Sequence, residues 1–190
     1  IKFDKPCKLS IECNEDLKDV LFLFANEFEK DVPSADDPGV VWFEPGVHHI
    51  GKFFKLKEET TYYLAPGSFL KGSLTGGGNK TRIIGRGIIS GADYEWPEPI
   101  NGQEGSAGKS PDRVDLVDLV GNNVEISGVT FVDSPFYVLK VRGKNNHFRN
   151  IKIIAWYDNT DAITSGENAL IEDCFIRAAD DIFKIFVSNT

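Results

Sequence analysis

The chain predicts an all-β protein, a parallel β-helix in which short strands wind about one axis and stack coil on coil. Three observations predict it. Brief β-rich runs separated by turns follow one another from Val40 onward, one segment recurs through the second half, and helical periodicity is confined to a single place near the start. The 18 glycines and nine prolines are scattered rather than clustered, which suits a turn-rich chain.

Taken in order, the first element is the helix. Asn14-Glu15-Asp16 can cap a turn, and Leu17, Val20, Leu21 and Phe24 recur at helical spacing. The stretch from Asp31 to Gly39 is polar and Pro-rich and reads as a connector. Short strands follow at Val40-Val41-Trp42-Phe43, Thr61-Tyr62-Tyr63-Leu64, Ser68-Phe69-Leu70, Arg82-Ile83-Ile84 and Gly87-Ile88-Ile89. A Gly-, Pro-, Glu- and Ser-rich insertion from about Ala92 to Asp112 carries Tyr94 and Trp96, aromatic side chains suited to the wall of a cleft.

The repeat is clearest after the insertion. Asn123 to Phe131 reappears as His147 to Ile153 and again as Ala169 to Ile176. Anchoring on Gly128, Asn150 and Asp173 gives steps of 22 and 23 residues, within the range of β-helix coils. Each copy leads into a further short run, at Tyr137-Val138-Leu139, Ala162-Ile163 and Ile182-Phe183-Lys184-Ile185. A single copy cannot bury its apolar face, whereas stacked copies bury a continuous column. Asn122, Asn123, Asn145, Asn146 and Asn168 fall at turns, where left-handed backbone is tolerated.

Composition excludes several functions. The net charge is −8 with no Lys/Arg run, so neither a nucleic acid nor an anionic membrane is an expected partner. No apolar stretch approaches the ~20 residues of a membrane span. The opening Ile1-Lys2-Phe3, without an initiator Met, reads as a processed or excised start. Cys7, Cys13 and Cys174 have no metal-ligand spacing; Cys7 and Cys13 are candidates to pair across neighbouring strands, and Cys174 reads as a structural thiol in an apolar strand. His48-His49 and His147 lack a third ligand, so no metal is expected, and Gly76-Gly77-Gly78 lacks the Lys and helix of a phosphate loop. No cofactor is implied. Asn79-Lys80-Thr81 is a glycosylation sequon in a Gly-rich turn.

The residues that carry chemistry are Asp161, Asp180 and Asp181. Asp161 and Asp181 are 20 residues apart, about one coil, so their backbones are expected to stack about 4.8 Å apart with Asp180 alongside. Like charges that close raise at least one pKa, and a raised carboxyl beside an ordinary one is what acid–base hydrolysis of a glycosidic bond requires. Neighbours on a strand point to opposite faces, so Asp180 and Asp181 need a bend between strands to share a cleft, which Ala178-Ala179 permits. Lys184, Tyr157, Trp156, Tyr137 and Trp96 are the expected substrate contacts: Lys184 for hydroxyls or for tuning Asp181, the aromatics for stacking on sugar rings.

With these segments aligned, the sequence resembles the polygalacturonase/dextranase superfamily of right-handed, pectin-lyase-like parallel β-helix glycosidases. It lies nearest the dextranase–isopullulanase group, glycoside hydrolase family 49. The resemblance is carried by Phe43-Glu44-Pro45-Gly46-Val47, Leu64-Ala65-Pro66-Gly67-Ser68-Phe69-Leu70-Lys71-Gly72, Gly85-Arg86-Gly87-Ile88-Ile89-Ser90-Gly91, Asn159-Thr160-Asp161 and Asp180-Asp181-Ile182-Phe183-Lys184-Ile185. Ala162 stands where these families usually have Gly, and Lys184 favours the dextranase side. The resemblance implies that residues 1–37 end a preceding β-sandwich and its connector, that 38–190 are the first coils of a catalytic β-helix, and that further coils follow Thr190. It also implies Asp180 as the general acid, Asp161 and Asp181 as the carboxylates that activate water with inversion, a neutral α-glucan such as dextran or pullulan as substrate, and a secreted enzyme. Two rivals stand beside it. A galacturonan hydrolase needs cations near the aspartates, where only Arg177 and Lys184 are at hand. A non-catalytic carbohydrate-binding or adhesin module would use the aspartates as turn residues only.

Overall fold

The computed structural model describes residues 2–14, 19–98, 100–103 and 107–185. The chain divides into two compact units, Ile1–Val32 and Pro33–Thr190. In the first, strands Cys7–Glu12 and Val20–Ala25 pair antiparallel. The expected helix is therefore replaced by a strand where it can be seen: Val20, Leu21 and Phe24 face Glu12, Ile11 and Lys8 across the pair. The run Val-Leu-Phe-Leu-Phe-Ala is apolar at every position, so it matches a helical stripe and a strand equally, and its β-branched and aromatic residues favour the strand once a partner exists. Asn14 adopts a left-handed φ of 56°; Glu15, Asp16 and Leu17 lie outside the described residues. None of the three cysteines forms a disulfide. Cys7 opens the strand that Cys13 follows, and an extended strand separates them by roughly 20 Å, far beyond disulfide reach.

The second unit is a parallel β-solenoid of about six turns with three faces. The first face stacks Val40–Phe43, Thr61–Leu64, Arg82–Gly85, Glu125–Ser127, His147–Arg149 and Leu170–Glu172. The other two belong to one ten-stranded sheet. Its long strands Gly46–Lys57 and Ser68–Gly77 pair together and bend across both faces. The first half of Ser68–Gly77 then pairs with Ile88–Ser90, leading to Thr130–Val132, Lys152–Ile154 and Phe175–Arg177 on the second face. Its second half pairs with Val117–Val120, leading to Leu139–Arg142, Ile163–Ser165 and Phe183–Ile185 on the third. Helical structure among the described residues is limited to the short 3-10 turns Ile100–Gly102 and Ala107–Lys109, and no helix there is long and apolar enough to cross a membrane.

Parallel register places identical side-chain roles above one another. Ile83, Ile126 and Phe148 line up on the first face, Ile89, Phe131 and Ile153 on the second, and Val117, Leu139 and Ile163 on the third, and all nine are at most 1% exposed. Burying such a side chain contributes roughly 1.5–3 kcal/mol, and the column repeats it coil after coil. Cys174 packs against this core from the corner between two strands, its thiol donating to the Glu172 carbonyl at 3.2 Å.

The three corners differ in tolerance. Between the first and second faces two or three residues intervene (two at 128–129, 150–151 and 173–174, three at 65–67), and Gly128, Asn150 and Asp173 take positive φ there. Between the third and first faces three or four residues intervene (three at 58–60, four at 78–81, 121–124, 143–146 and 166–169). Here Gly78, Gly121, Gly143 and Gly166 stack so closely that a Cβ on any of the last three would strike the carbonyl of the glycine one coil before. The asparagines beside them close the turns: Asn79 and Asn122 each accept from a backbone N–H one coil on, at 3.0 and 2.8 Å. The sequon is thus part of this corner, with Thr81 fully buried and its hydroxyl donating to the Lys57 and Gly78 carbonyls. Between the second and third faces the connection varies from 178–182 through 133–138 and 155–162 to the insertion at 91–116.

Gly143→Ala is expected to lower stability by about 1–3 kcal/mol or more, because neither the added methyl nor the Gly121 backbone has room to move. Urea unfolding checks this, and an unchanged midpoint would refute the close stacking of the corner.

Candidate active site

The corner between the second and third faces holds the three aspartates. Asp180 lies in the bend between Phe175–Arg177 and Phe183–Ile185 and Asp181 follows it, so the side-chain alternation of a regular strand is broken as the sharing of a cleft requires. Asp161 occupies the same corner one coil earlier. The pairing of Ile163 with Phe183, and the 2.8 Å hydrogen bond from the Ala162 amide to the Asp181 carbonyl, put Asp161 and Asp181 at equivalent positions. Carboxylate oxygens of Asp161, Asp180 and Asp181, one from each, all lie within 4.8 Å of one another. The expected vertical registry is present.

The segment Asn159-Thr160-Asp161 builds the corner locally. Asn159 takes the left-handed φ of 59°. Thr160 is fully buried; its hydroxyl donates to the Tyr157 carbonyl at 2.6 Å and accepts from the Ala179 amide at 3.3 Å, tying this corner to the next coil. Ala162, also fully buried, turns its methyl into the core. On the following bend, the Asp181 amide donates to Asp180 Oδ1 at 2.8 Å, which orients that carboxylate.

The three acids differ in environment. Asp161 is 1% exposed, whereas Asp180 and Asp181 are open to solvent. Lys184 Nζ donates to Asp161 Oδ2 at 2.6 Å, lies 3.7 Å from Asp181 Oδ2, and meets the Tyr137 hydroxyl at 3.3 Å. Asp161 Oδ1 is buried without a hydrogen-bond partner. Burial pushes the Asp161 carboxyl above the usual carboxylate range; Lys184 pulls it down, and Asp180 and Asp181 add a smaller upward push. The hydrogen bond to Asp161 is the main reason Lys184 holds its proton more tightly than an ordinary lysine. The raised carboxyl is therefore Asp161, and desolvation rather than charge repulsion is its leading cause.

The predicted contact residues separate into two groups. Tyr137 sits one coil before Asp161, as expected, and joins the hydrogen-bonded group through Lys184. Trp96 reaches across from the insertion and donates its indole N–H to the Asp158 carbonyl at 2.8 Å, three residues before Asp161. The insertion is thereby fastened to the wall of the site. Trp156 and Tyr157 are half exposed on the same loop and do not enter the Asp161–Lys184–Tyr137 group; the Arg177 guanidinium lies 4.7 Å from the Trp156 ring centroid.

Sequence reading missed a polar track running away from the trio on the third face. Lys184 aligns with Thr164, Lys140, Asp118 and Thr75 in successive coils. Arg113 holds Asp115 by two hydrogen bonds of 2.8 and 2.9 Å, and Lys140 bridges Asp115 and Asp118 at 3.2 and 3.1 Å. Aligning Lys184 backwards by coil would have found the strand members of this track. Arg113 lies in the insertion, whose length breaks the repeat, so no periodicity points to it.

Comparison with known proteins accords with this geometry. The chain is 25% identical over 169 residues to a dextranase of Arthrobacter globiformis, which covers 79% of this chain and 26% of the relative. It is 25% identical over 167 residues to an isopullulanase of Aspergillus niger, covering 80% of this chain and 29% of the relative. The chain thus spans little more than a quarter of the length of these relatives. The model of glycosyl hydrolases family 28 matches residues 68–189, more than half of the chain and the span that holds all three aspartates. The chain belongs to glycosyl hydrolases family 28, within the polygalacturonase/dextranase–isopullulanase superfamily.

Proposed function

We propose that this chain carries the catalytic groups of a secreted glycosidase acting on a neutral α-glucan of the dextran or pullulan type, with Asp180 as general acid and Asp161 and Asp181 as the bases that activate water. The observation that carries the reading is the trio itself: three carboxylates at one corner, one buried and bound to a lysine, two open to solvent. Asp180 donates its proton to the glycosidic oxygen as the bond to the anomeric carbon breaks. A water held between Asp161 and Asp181 gives up a proton to a carboxylate and attacks the same carbon. The unpartnered Asp161 Oδ1 is a buried acceptor that a water or substrate hydroxyl would satisfy. Lys184 opposes the upward push of burial on the Asp161 carboxyl and so favours its ionised form.

The trio is closer than the ~6.5–9.5 Å typical of a single acid–base pair in inverting enzymes. The proposal of inversion rests instead on two bases sharing one water, and on the resemblance to dextranases and isopullulanase. A neutral substrate is favoured because Lys184, a cation bound to the trio, is already committed to Asp161 and Asp181.

Asp180→Asn should lower kcat on dextran by about 10²–10⁴-fold with an unchanged melting temperature; full activity in the variant would remove the assignment. Inversion of an α-linked glucan releases the β-anomer first, which proton NMR of early product reads directly, and an initial α-anomer would overturn it.

Lys184→Met removes the group that lowers the Asp161 pKa. The base then stays protonated to higher pH, and the acidic limb of the kcat/KM profile should move upward; an unmoved limb would separate Lys184 from the base. Asp161→Asn tests the same carboxyl through stability. Because the folded pKa is raised, the native state favours the protonated acid. That contribution is complete below the ordinary carboxylate pKa and is lost as pH rises through the raised value. The inactive Asn variant should therefore gain stability over the native protein across that window, read as a difference in urea midpoints; a variant that loses stability as pH rises through it would contradict the burial argument.

A further inference from the structure

A cavity of about 320 Å³ opens on the third face, lined by Phe53, Thr75, Arg113, Asp115, Asp118 and Lys140 among others. That volume is at the lower end of ligand-binding pockets, about 300–1,000 Å³. Thr75, Asp118 and Lys140 belong to the same side-chain column as Lys184, from four to two coils away. The two places are joined by contact as well as alignment: the Arg113 guanidinium lies 4.6 Å from the Tyr137 ring centroid, and the Tyr137 hydroxyl meets Lys184.

Phe53 is the unusual member. It has a left-handed φ of 62°, a strained conformation for a bulky residue, at an irregularity in the pairing of the two long strands. Its amide donates to Ser73 Oγ at 2.9 Å, which pins the backbone there. The ring stays 47% exposed, with the Lys52 ammonium 5.1 Å from its centroid. A strand irregularity that turns an aromatic out of the core re-aims a side chain at a cost, and such strain gathers at functional sites.

The charges identify the ligand class. Two cations, Arg113 and Lys140, face two anions, Asp115 and Asp118, and each cation already donates to a carboxylate. An anionic sugar would have to displace one of those carboxylates. Hydroxyl groups, which both donate and accept, fit the mixed surface without breaking it. Phe53 adds an apolar ring for the C–H face of a pyranose.

We infer that this cavity is a distal subsite that holds a neutral pyranose of the same glycan chain whose scissile bond lies at the Asp161–Asp180–Asp181 corner. The inference rests on the glycosidase reading above and extends it to substrate length. Each coil rises about 4.8 Å, close to the length of one pyranose ring, so the subsite is reached by a chain about two to four sugars beyond the cleavage point. Short oligosaccharides miss it.

Titration calorimetry of the Asp180→Asn protein with isomalto-disaccharide, -tetrasaccharide and -octasaccharide tests this, with and without Phe53→Ala. Removal of the ring should weaken the octasaccharide about tenfold and leave the disaccharide unchanged. Phe53→Tyr should restore the octasaccharide, which separates a stacking ring from a merely structural residue. An octagalacturonide should bind the same protein more weakly than the isomalto-octasaccharide. Equal losses at every length, no loss at any, or preference for the octagalacturonide would overturn the subsite. Hydrolysis of dextran by the otherwise native protein is assayed separately. If it is absent while the length-dependent loss remains, the glycosidase reading fails and the binding site stands; if it is present while Phe53→Ala is silent on the octasaccharide, the reverse holds.

Discussion

Interstrand hydrogen bonding in register is the constraint on which everything else in the solenoid depends. Each coil must present its N–H and C=O groups to the coils before and after it, at a rise of about 4.8 Å. Once Ile83, Ile126 and Phe148 align to close the core, the residues at the corners have no freedom to align otherwise. Asp161 and Asp181 stand one above the other for that reason, and so do Lys140, Thr164 and Lys184 beside them. A column of like charges at this spacing would repel. The third face resolves it by placing cations among the acids: Lys184 between Asp161 and Asp181, Lys140 between Asp115 and Asp118.

Burial then distinguishes one member of the trio. Asp161 is buried beneath the coil that follows it, and Asp180 and Asp181 lie on the last described coil. The buried carboxyl is pushed upward by burial and pulled back by the Lys184 bound to it, which sets Asp161 apart from its two neighbours.

Much of this was legible in the chain. The step between Gly128, Asn150 and Asp173 gave the coil length because those positions must all take the same positive-φ turn. Asp161, Asp181 and Tyr137 then followed by counting. What failed shows the limits of counting. Val20 to Ala25 is apolar throughout, so helix and strand periods fit it alike and only the partner strand Cys7–Glu12 decides. The pairing of Cys7 with Cys13 presumed neighbouring strands where one strand holds the first and leads into the second. The source of the raised pKa was read as repulsion, because burial cannot be seen without the fold. Phe53 and Arg113 were invisible: one depends on a local irregularity in strand pairing, the other on the folded path of the insertion.

The unequal corners bear on how such a molecule can change over generations. Two of its edges vary by no more than one residue, one with turns of two or three residues and one with glycines that have no space beside them, so a larger length change there would disturb the coils downstream. The third edge already accommodates connections from five residues to the whole of 91–116 without disturbing the ladders on either side. Diversification is thereby channelled to the side where the acids stand. A lineage built on this frame can lengthen, shorten or replace the walls around its chemistry by indels at one margin, while the load-carrying column is inherited intact.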